Sequence, residues 1–149
     1  MKNLIIVVLV CQITLSTCEI KDNFLFDFPV TCRIPNRSWS YKIFIKEVSQ
    51  ELNRFVYLHD QYTGYAQNGG SLHLKLEAEY PWMKPPTHKT MIEMWHSCTS
   101  DGSTAYTNIY FPDLPVNREW YHIYFVLDIT NRSGEERNYP MSIAYQPWK

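Results

Sequence analysis

Residues 71–77 read Ser-Leu-His-Leu-Lys-Leu-Glu, which places Leu72, Leu74 and Leu76 on one side of an extended chain and His73 and Lys75 on the other. Successive side chains of a strand point to opposite faces, so this period of two marks a half-buried strand and not a helix. The same pattern spreads outward from it. Between Trp39 and Val48, Trp39, Tyr41, Ile43 and Ile45 share a face opposite Ser40, Lys42 and Lys46. Between Trp120 and Thr130, the face is Tyr121, Ile123, Phe125, Leu127 and Ile129. Runs at 28–34, 54–60, 90–97 and 105–112 are further strand candidates by their β-branched and aromatic content. Residues 141–145 can add an edge strand. Thr63-Gly64 and Asn68-Gly69-Gly70 make 62–70 a turn region. Pro81, Pro85 and Pro86 exclude a helix or an inner strand from 77–88. Only 45–52 also suits a helical period, through Ile45, Val48 and Leu52. Seven to eight short strands joined by irregular connections indicate an all-β sandwich.

Composition narrows the function classes. Charged residues are only 19% and aromatic residues 15%, the reverse of a disordered chain. The 14 basic residues are balanced by 15 acidic ones, so the chain lacks the basic excess of an electrostatic nucleic-acid binder. A partner would then be a protein or a neutral ligand, not a polyanion.

The N-terminus has the form of an address. Lys2 precedes the apolar run Leu4 to Val10, extended by Cys11 and Ile13, and the small or polar residues Ser16, Thr17 and Cys18 follow. A basic start, a short apolar core and small residues at the cut describe a secretory signal peptide over 1–18. The run is shorter than the roughly 20 apolar residues of a spanning helix, so no stable membrane insertion is expected. Leu15-Ser16-Thr17-Cys18 also resembles a bacterial lipoprotein signal, although Thr17 departs from that pattern. Residues 19–130 then form the sandwich domain and 131–149 a C-terminal tail. Cleavage after Cys18 leaves Cys32 and Cys98, which in an oxidising compartment are most simply one disulfide, the alternative being two buried thiols. Asn36-Arg37-Ser38 and Asn131-Arg132-Ser133 are glycosylation sequons in polar surroundings, so Asn36 and Asn131 are candidate glycan acceptors in a secreted chain.

The order of these features resembles the secreted nematode transthyretin-like family. Met91-Ile92-Glu93-Met94-Trp95-His96-Ser97-Cys98 is similar to that family's strand ending in His-X-Cys, approached here through Pro85-Pro86-Thr87-His88. Asn68-Gly69-Gly70-Ser71-Leu72 sits where the family has an Asp/Asn-Gly turn, and Val30-Thr31-Cys32 where it has its first strand. Tyr110-Phe111-Pro112 and Phe125-Val126-Leu127-Asp128-Ile129 match a strand ending in Ile-Pro and the closing strand. The likeness covers residues 28–130. The family's Gly-Lys-Pro segment is replaced by Arg33-Ile34-Pro35-Asn36, and its acidic loop after the second strand is much reduced. The resemblance implies a transthyretin-like, prealbumin-type β-sandwich, with Cys98 as the partner of Cys32.

Catalytic signals are weak. His96 and Cys98 fall on one face of a strand and, with His59 or His73, could encircle zinc. A disulfide would remove Cys98 as a thiolate, and the sequence has no Cys-X-X-Cys pair, so no metal or cofactor is expected. The chain also lacks a Gly-X-Ser-X-Gly elbow. Its end, Tyr145-Gln146-Pro147-Trp148-Lys149, lacks the Tyr-Arg-Gly-Ser of hydroxyisourate hydrolase, the enzyme branch nearest this fold. The aromatic excess is the remaining clue, since Trp39, Trp82, Trp95, Trp120 and Trp148 are too many for one small core. Tyr80, Trp82 and Met83 stand together in the Pro-rich connection and are the candidate interface. The sequence thus leads to a secreted, non-enzymatic module that binds an extracellular protein, in signalling or as a parasite effector. The alternatives are a carrier of a small lipophilic ligand and a hydroxyisourate-hydrolase-like enzyme.

Overall fold

The computed structural model describes residues 22–49, 54–59, 61–80, 87–116 and 120–146. Every regular element among them is a strand. In chain order these are β1 (Asn23–Cys32), β2 (Trp39–Ser49), β3 (Arg54–Tyr57), β4 (Tyr62–Ala66), β5 (Gly70–Glu79), β6 (Thr87–His88) and β7 (Thr90–His96). They continue with β8 (Ala105–Tyr110), β9 (Leu114–Pro115), β10 (Trp120–Phe125), β11 (Leu127–Asp128), β12 (Gly134–Glu136) and β13 (Met141–Gln146). Residues 1–18, expected to be a signal peptide, and Trp82, Met83 and Trp148 lie outside the described residues.

Two sheets carry the fold. In sheet A, β1 lies between β5, which it meets antiparallel, and β10 with β11, which it meets parallel; β13 then pairs with the far side of β10. In sheet B the order is β12-β8-β7-β2, and the outer side of β2 is shared by β4 along its first half and β3 along its second. The two-residue strands β6 and β9 form a separate small ladder.

The first strand starts earlier than its sequence suggests. Phe24, Phe26, Phe28, Val30 and Cys32 all point inward and are at most 1% exposed. The run was legible only from Phe28 because Asp27 and Pro29 punctuate it. Pro29 stands in a strand paired on both sides, where proline is rare for lack of an N–H. The register explains how it is accommodated. Asp27 faces Tyr124 and Val30 faces Leu127, so Pro29 falls opposite Val126, the residue that separates β10 from β11.

Residues 62–66, expected as turn, are strand β4. Gly64 lies opposite Tyr41, whose ring occupies the space a Cβ at 64 would take, so this glycine serves close cross-strand packing. The turn proper is Asn68-Gly69-Gly70, all at positive φ. Its Gly69 presses on the carbonyl of Ile34, 2.7 Å from where a Cβ would stand. The alternative helical period expected at 45–52 is not used over 45–49, where β2 runs as strand through Ser49; residues 50–52 lie outside the described residues.

Burial holds the sheets together. Trp39, Ile43 and Ile45 of β2, Ile92 and Met94 of β7 and Ile109 of β8 meet the β1 row and Tyr121, Ile123, Phe125 and Leu127. Each fully buried side chain of this size contributes roughly 1.5–3 kcal/mol. Cys32 and Cys98 form a disulfide with a Cα–Cα distance of 5.9 Å, tying the end of β1 to the chain just after β7. For a loop of 66 positions, chain entropy puts its contribution at about 4 kcal/mol. Residues 134–136 and 141–146 are built into the two sheets. β12 runs parallel to β8, and β13 pairs with β10 from Trp120↔Gln146 to Phe125↔Met141. Between them, Tyr139 donates to the Val126 carbonyl at 2.6 Å and sits under the Arg132 guanidinium.

Candidate binding face

The strand alternation that fills the core also decides what sheet B shows to solvent. Cross-strand partners share a face, so the outward rows follow from the register. One row is Tyr57, Lys46, Met91 and Tyr110, of which Lys46 and Met91 are themselves covered; the next is Phe44, Glu93 and Asn108; the third is Thr63, Lys42, Trp95 and Tyr106; the fourth begins with Tyr65 and Ser40. Tyr57 is 58% exposed, Tyr65 60%, Tyr106 45% and Trp95 40%, and Phe44 and Tyr110 are half-buried beside them. Six aromatic side chains therefore stand on one solvent-facing surface.

They are held in place. Phe44 and Tyr57 meet edge-on with centroids 5.4 Å apart, and Trp95 lies 5.6 Å from Tyr106. The Lys46 ammonium is over both rings of the first pair, 5.6 Å from Phe44 and 5.0 Å from Tyr57, and donates to Glu93 Oε2 at 2.7 Å. The Trp95 indole N–H donates to the other Glu93 oxygen at 2.9 Å. Burial alone would raise the Glu93 carboxyl, but these two hydrogen bonds and the Lys46 charge outweigh it and hold the pKa below the usual value. At the β8 edge, the Arg137 guanidinium lies 4.6 Å from the Tyr110 ring and pairs with Glu135. A concavity of about 530 Å³ opens on this surface, lined chiefly by Ser40, Lys42, Phe44, Tyr57, Glu93 and Trp95.

Of the residues singled out from the sequence, those that are described lie elsewhere. Tyr80, expected in an exposed loop interface, is a core residue at 2% exposure. It packs 4.4 Å from Phe24 and 4.1 Å from His88, and its hydroxyl is bonded to Thr90. Burial, partly offset by Thr90, raises its phenol well above the usual value. Around it His88 bridges Asp22, at 2.8 Å, and Glu47, at 3.6 Å, in a nearly buried cluster that closes this end of the sandwich. Asn36 and Asn131 are both exposed and both in left-handed turns, φ 55° and 53°, at the opposite, disulfide end. There the Asn131 side-chain oxygen accepts from the Ser100 N–H and hydroxyl at 2.6 and 2.8 Å.

His96 is buried, its pKa lowered by burial against an opposing contact from the Arg132 backbone. Its neighbour Cys98 is in the disulfide, so the zinc arrangement considered from sequence loses its thiolate. Among the described residues no group of three or more His, Cys, Asp or Glu side chains is placed to hold a metal ion.

What sequence reasoning missed was Phe44. It occupies the outward register of β2, between Lys42 and Lys46, where an aromatic residue is out of pattern. That break, repeated by Trp95 in the outward register of β7, was the available signal.

No family model and no curated protein sequence matches the chain. A solved structure that matches is a candidate cell adhesion protein from Bacteroides ovatus, at 9% identity and a TM-score of 0.27. The match covers 85% of this chain but only 44% of that one, so this chain spans less than half its length. A likeness of that size carries no argument about fold type or function.

Proposed function

We propose that this chain is a secreted, non-enzymatic binding module that recognises an extracellular protein through the outer face of sheet B. The observation that carries the reading is the aromatic platform of Phe44, Tyr57, Trp95 and Tyr106. Tyr, Trp and Phe are enriched in interface cores, and contiguous exposed apolar surface on a globular chain marks an interaction site. The platform is also stiff, because Glu93 fixes both Lys46 and Trp95, so little side-chain freedom is lost on binding. Its charges are largely neutralised among themselves, which favours contact with another protein over a polyanion.

Secretion is supported by the leader-like residues 1–18 and by a disulfide, a bond that persists in oxidising compartments. Glycans on Asn36 and Asn131 would cluster at the disulfide end and leave the sheet B face open. For the fold type, we propose the prealbumin (transthyretin-like) sandwich. An immunoglobulin-type sandwich pairs its first strand with its second, whereas here β1 lies between β5 and β10 and β2 is in the other sheet. This ordering, with β1 and β10 parallel, favours the prealbumin arrangement.

The test is capture from extracellular fluid by the protein secreted from eukaryotic cells, compared with Phe44→Ala and Trp95→Ala. A protein bound by the wild type and lost from both variants, compared at equal folded concentration, supports the reading. Equal capture by all three overturns it.

A further inference from the structure

Resting on that docking face, a further inference concerns what turns it off. Trp95 and His96 are the last two residues of β7, and both border the concavity. Strand alternation sends Trp95 outward to the platform and His96 inward, where it is 1% exposed. Neither imidazole nitrogen has a hydrogen-bond partner among the described residues. Burial holds its pKa below 6.5, against an opposing influence of the Arg132 backbone.

The interior offers a proton on this ring no counter-charge. His96 faces Tyr41 on β2 and Ala105 on β8. Toward sheet A, this end of the core is Val30, Cys32, Leu127 and Ile129, all apolar. After β11, the Arg132 guanidinium is committed to Glu136 at 2.8 Å and to the Asp128 carbonyl at 3.1 Å, and the Asp128 carboxylate pairs with Arg33. His73, His88 and His122 each face a carboxylate, whereas His96 faces none among the described residues. An imidazole with a lowered folded pKa is neutral in the closed state. Below about 6.5 an opened state takes the proton more readily, so the closed state loses stability as the pH falls from there through the lowered value.

The charged ring is relieved by reaching solvent, and the concavity is the opening that His96 borders. Beyond it the chain is tied down, since the Ser97 N–H donates to the Ser40 carbonyl at 3.1 Å and Cys98 is in the disulfide. The movement therefore falls on the strand end that carries Trp95. In the concavity stand Lys42 and Glu93, the latter holding the Lys46 ammonium and the Trp95 indole. An imidazolium is a stronger donor to a carboxylate than a neutral indole N–H, so it takes the place of Trp95 on Glu93.

We propose that His96 is an acid-sensitive release for the sheet B face: on taking up a proton its imidazole leaves the core through the concavity and displaces Trp95 from Glu93, so that the module holds its partner at neutral pH and frees it in an acidic compartment. Glu93 itself is held below 4.5 and stays ionised above pH 5, so a response of Trp95 in that range does not come from its carboxylate.

The experiment follows the secreted full chain, labelled with nitrogen-15 at tryptophan and carbon-13 at histidine, by NMR from pH 7.5 to 5. In the wild type the His96 imidazole and the Trp95 indole N–H should shift together, with a common midpoint below 6.5, while hydrogen exchange in β1 and β5 stays slow. In His96→Gln, and in His96→Leu, which keeps the site apolar, the indole should stay fixed. A His96 imidazole that does not titrate in this range overturns the inference, as does an indole that shifts equally in either folded variant. What the wild type captures from extracellular fluid at pH 7.5 should be released at least tenfold at pH 5.5 and retained by the variants; capture that persists undiminished in the wild type overturns the release. If Trp95 follows His96 but capture is indifferent to Phe44 and Trp95, the acid response stands and the docking face falls. If capture depends on those residues while neither it nor the indole responds to pH, the docking face stands and the switch falls.

Discussion

On the outside of sheet A, one carboxylate gathers the neighbouring charges; on the outside of sheet B, charges serve to brace aromatic rings. Asp27 of β1 is bonded to His73, and Lys75 and His122 stand 3.6 and 3.4 Å from its other oxygen. The three partners come from the strands on either side, so the cluster stitches β5, β1 and β10 across their solvent face. On sheet B the corresponding carboxylate, Glu93, holds an ammonium and an indole, both of which support exposed rings. Sheet A is not free of apolar surface, since Tyr124 and Val126 are about half exposed. They are two residues on the outward side of one extended segment, whereas the sheet B aromatic side chains are spread over five strands. The lesson is that the outward register of a strand needs only to be soluble. Where it is aromatic on several adjacent strands and those residues are also fixed, as on sheet B, we propose the surface as the contact.

The largest expected effect should fall on both faces alike. Cys32→Ser removes the bond between sheet A and the end of β7 and should cost about 2–5 kcal/mol. Hydrogen exchange should then rise together in β1, β2 and β7; a rise confined to one sheet would show that the disulfide acts locally.

Glu93→Gln should separate the faces. It removes the charge on Glu93 that faces the nearly buried Lys46 and should cost about 2 kcal/mol by the usual worth of a hydrogen bond to a charged group. Near-ultraviolet circular dichroism should show Trp95 loosened, with no change in exchange at β5. An unaltered spectrum would mean that Tyr106 packing alone fixes the indole.

Asp27→Asn should cost less, about 1 kcal/mol, because its partners are half exposed and screened. The His73 hydrogen bond chiefly, with Lys75 and His122, holds the Asp27 carboxyl below 3.8 despite some opposing burial. A carboxyl with a lowered folded pKa contributes stability above its unfolded value and loses it as the pH falls through the lowered one. Between pH 5 and 3 the wild type should therefore lose stability more steeply than Asp27→Asn, and parallel acid limbs would refute the cluster. Binding at the sheet B face should not change at neutral pH.

How much of this was legible beforehand follows the same division. The inward register was plain: Leu72, Leu74 and Leu76, or Tyr121 through Ile129, repeat without a break, and a sandwich core needs little more. Strand edges were less so. β4 was hidden by Gly64, whose role depends on Tyr41 across the ladder, and the start of β1 by Pro29, whose tolerance depends on the break at Val126. Both are tertiary facts that no local pattern contains. The tail was read as a marginal edge because Met141, Ile143 and Tyr145 alternate only briefly; its pairing with β10 is set by the Tyr139–Arg132 turn before it. The site was the least legible. Tyr80 looked exposed because it borders a proline-rich connection, yet Phe24, His88 and Thr90 enclose it. Phe44, Tyr57, Trp95 and Tyr106 are scattered over 44–106 and become one surface only through the register of four strands.

The central claim is most directly tested by a paired substitution, one aromatic residue from each outer face. Wild type, Trp95→Ala on sheet B and Tyr124→Ala on sheet A would be immobilised at equal folded density and exposed to the same extracellular fluid, with bound proteins identified by mass spectrometry. Each substitution should cost no more than about 1 kcal/mol, as for one cross-strand aromatic contact. The account predicts that Tyr124→Ala captures what the wild type captures and that Trp95→Ala loses it by at least tenfold. Capture retained by Trp95→Ala and lost by Tyr124→Ala would put the binding surface on the other sheet and contradict the account.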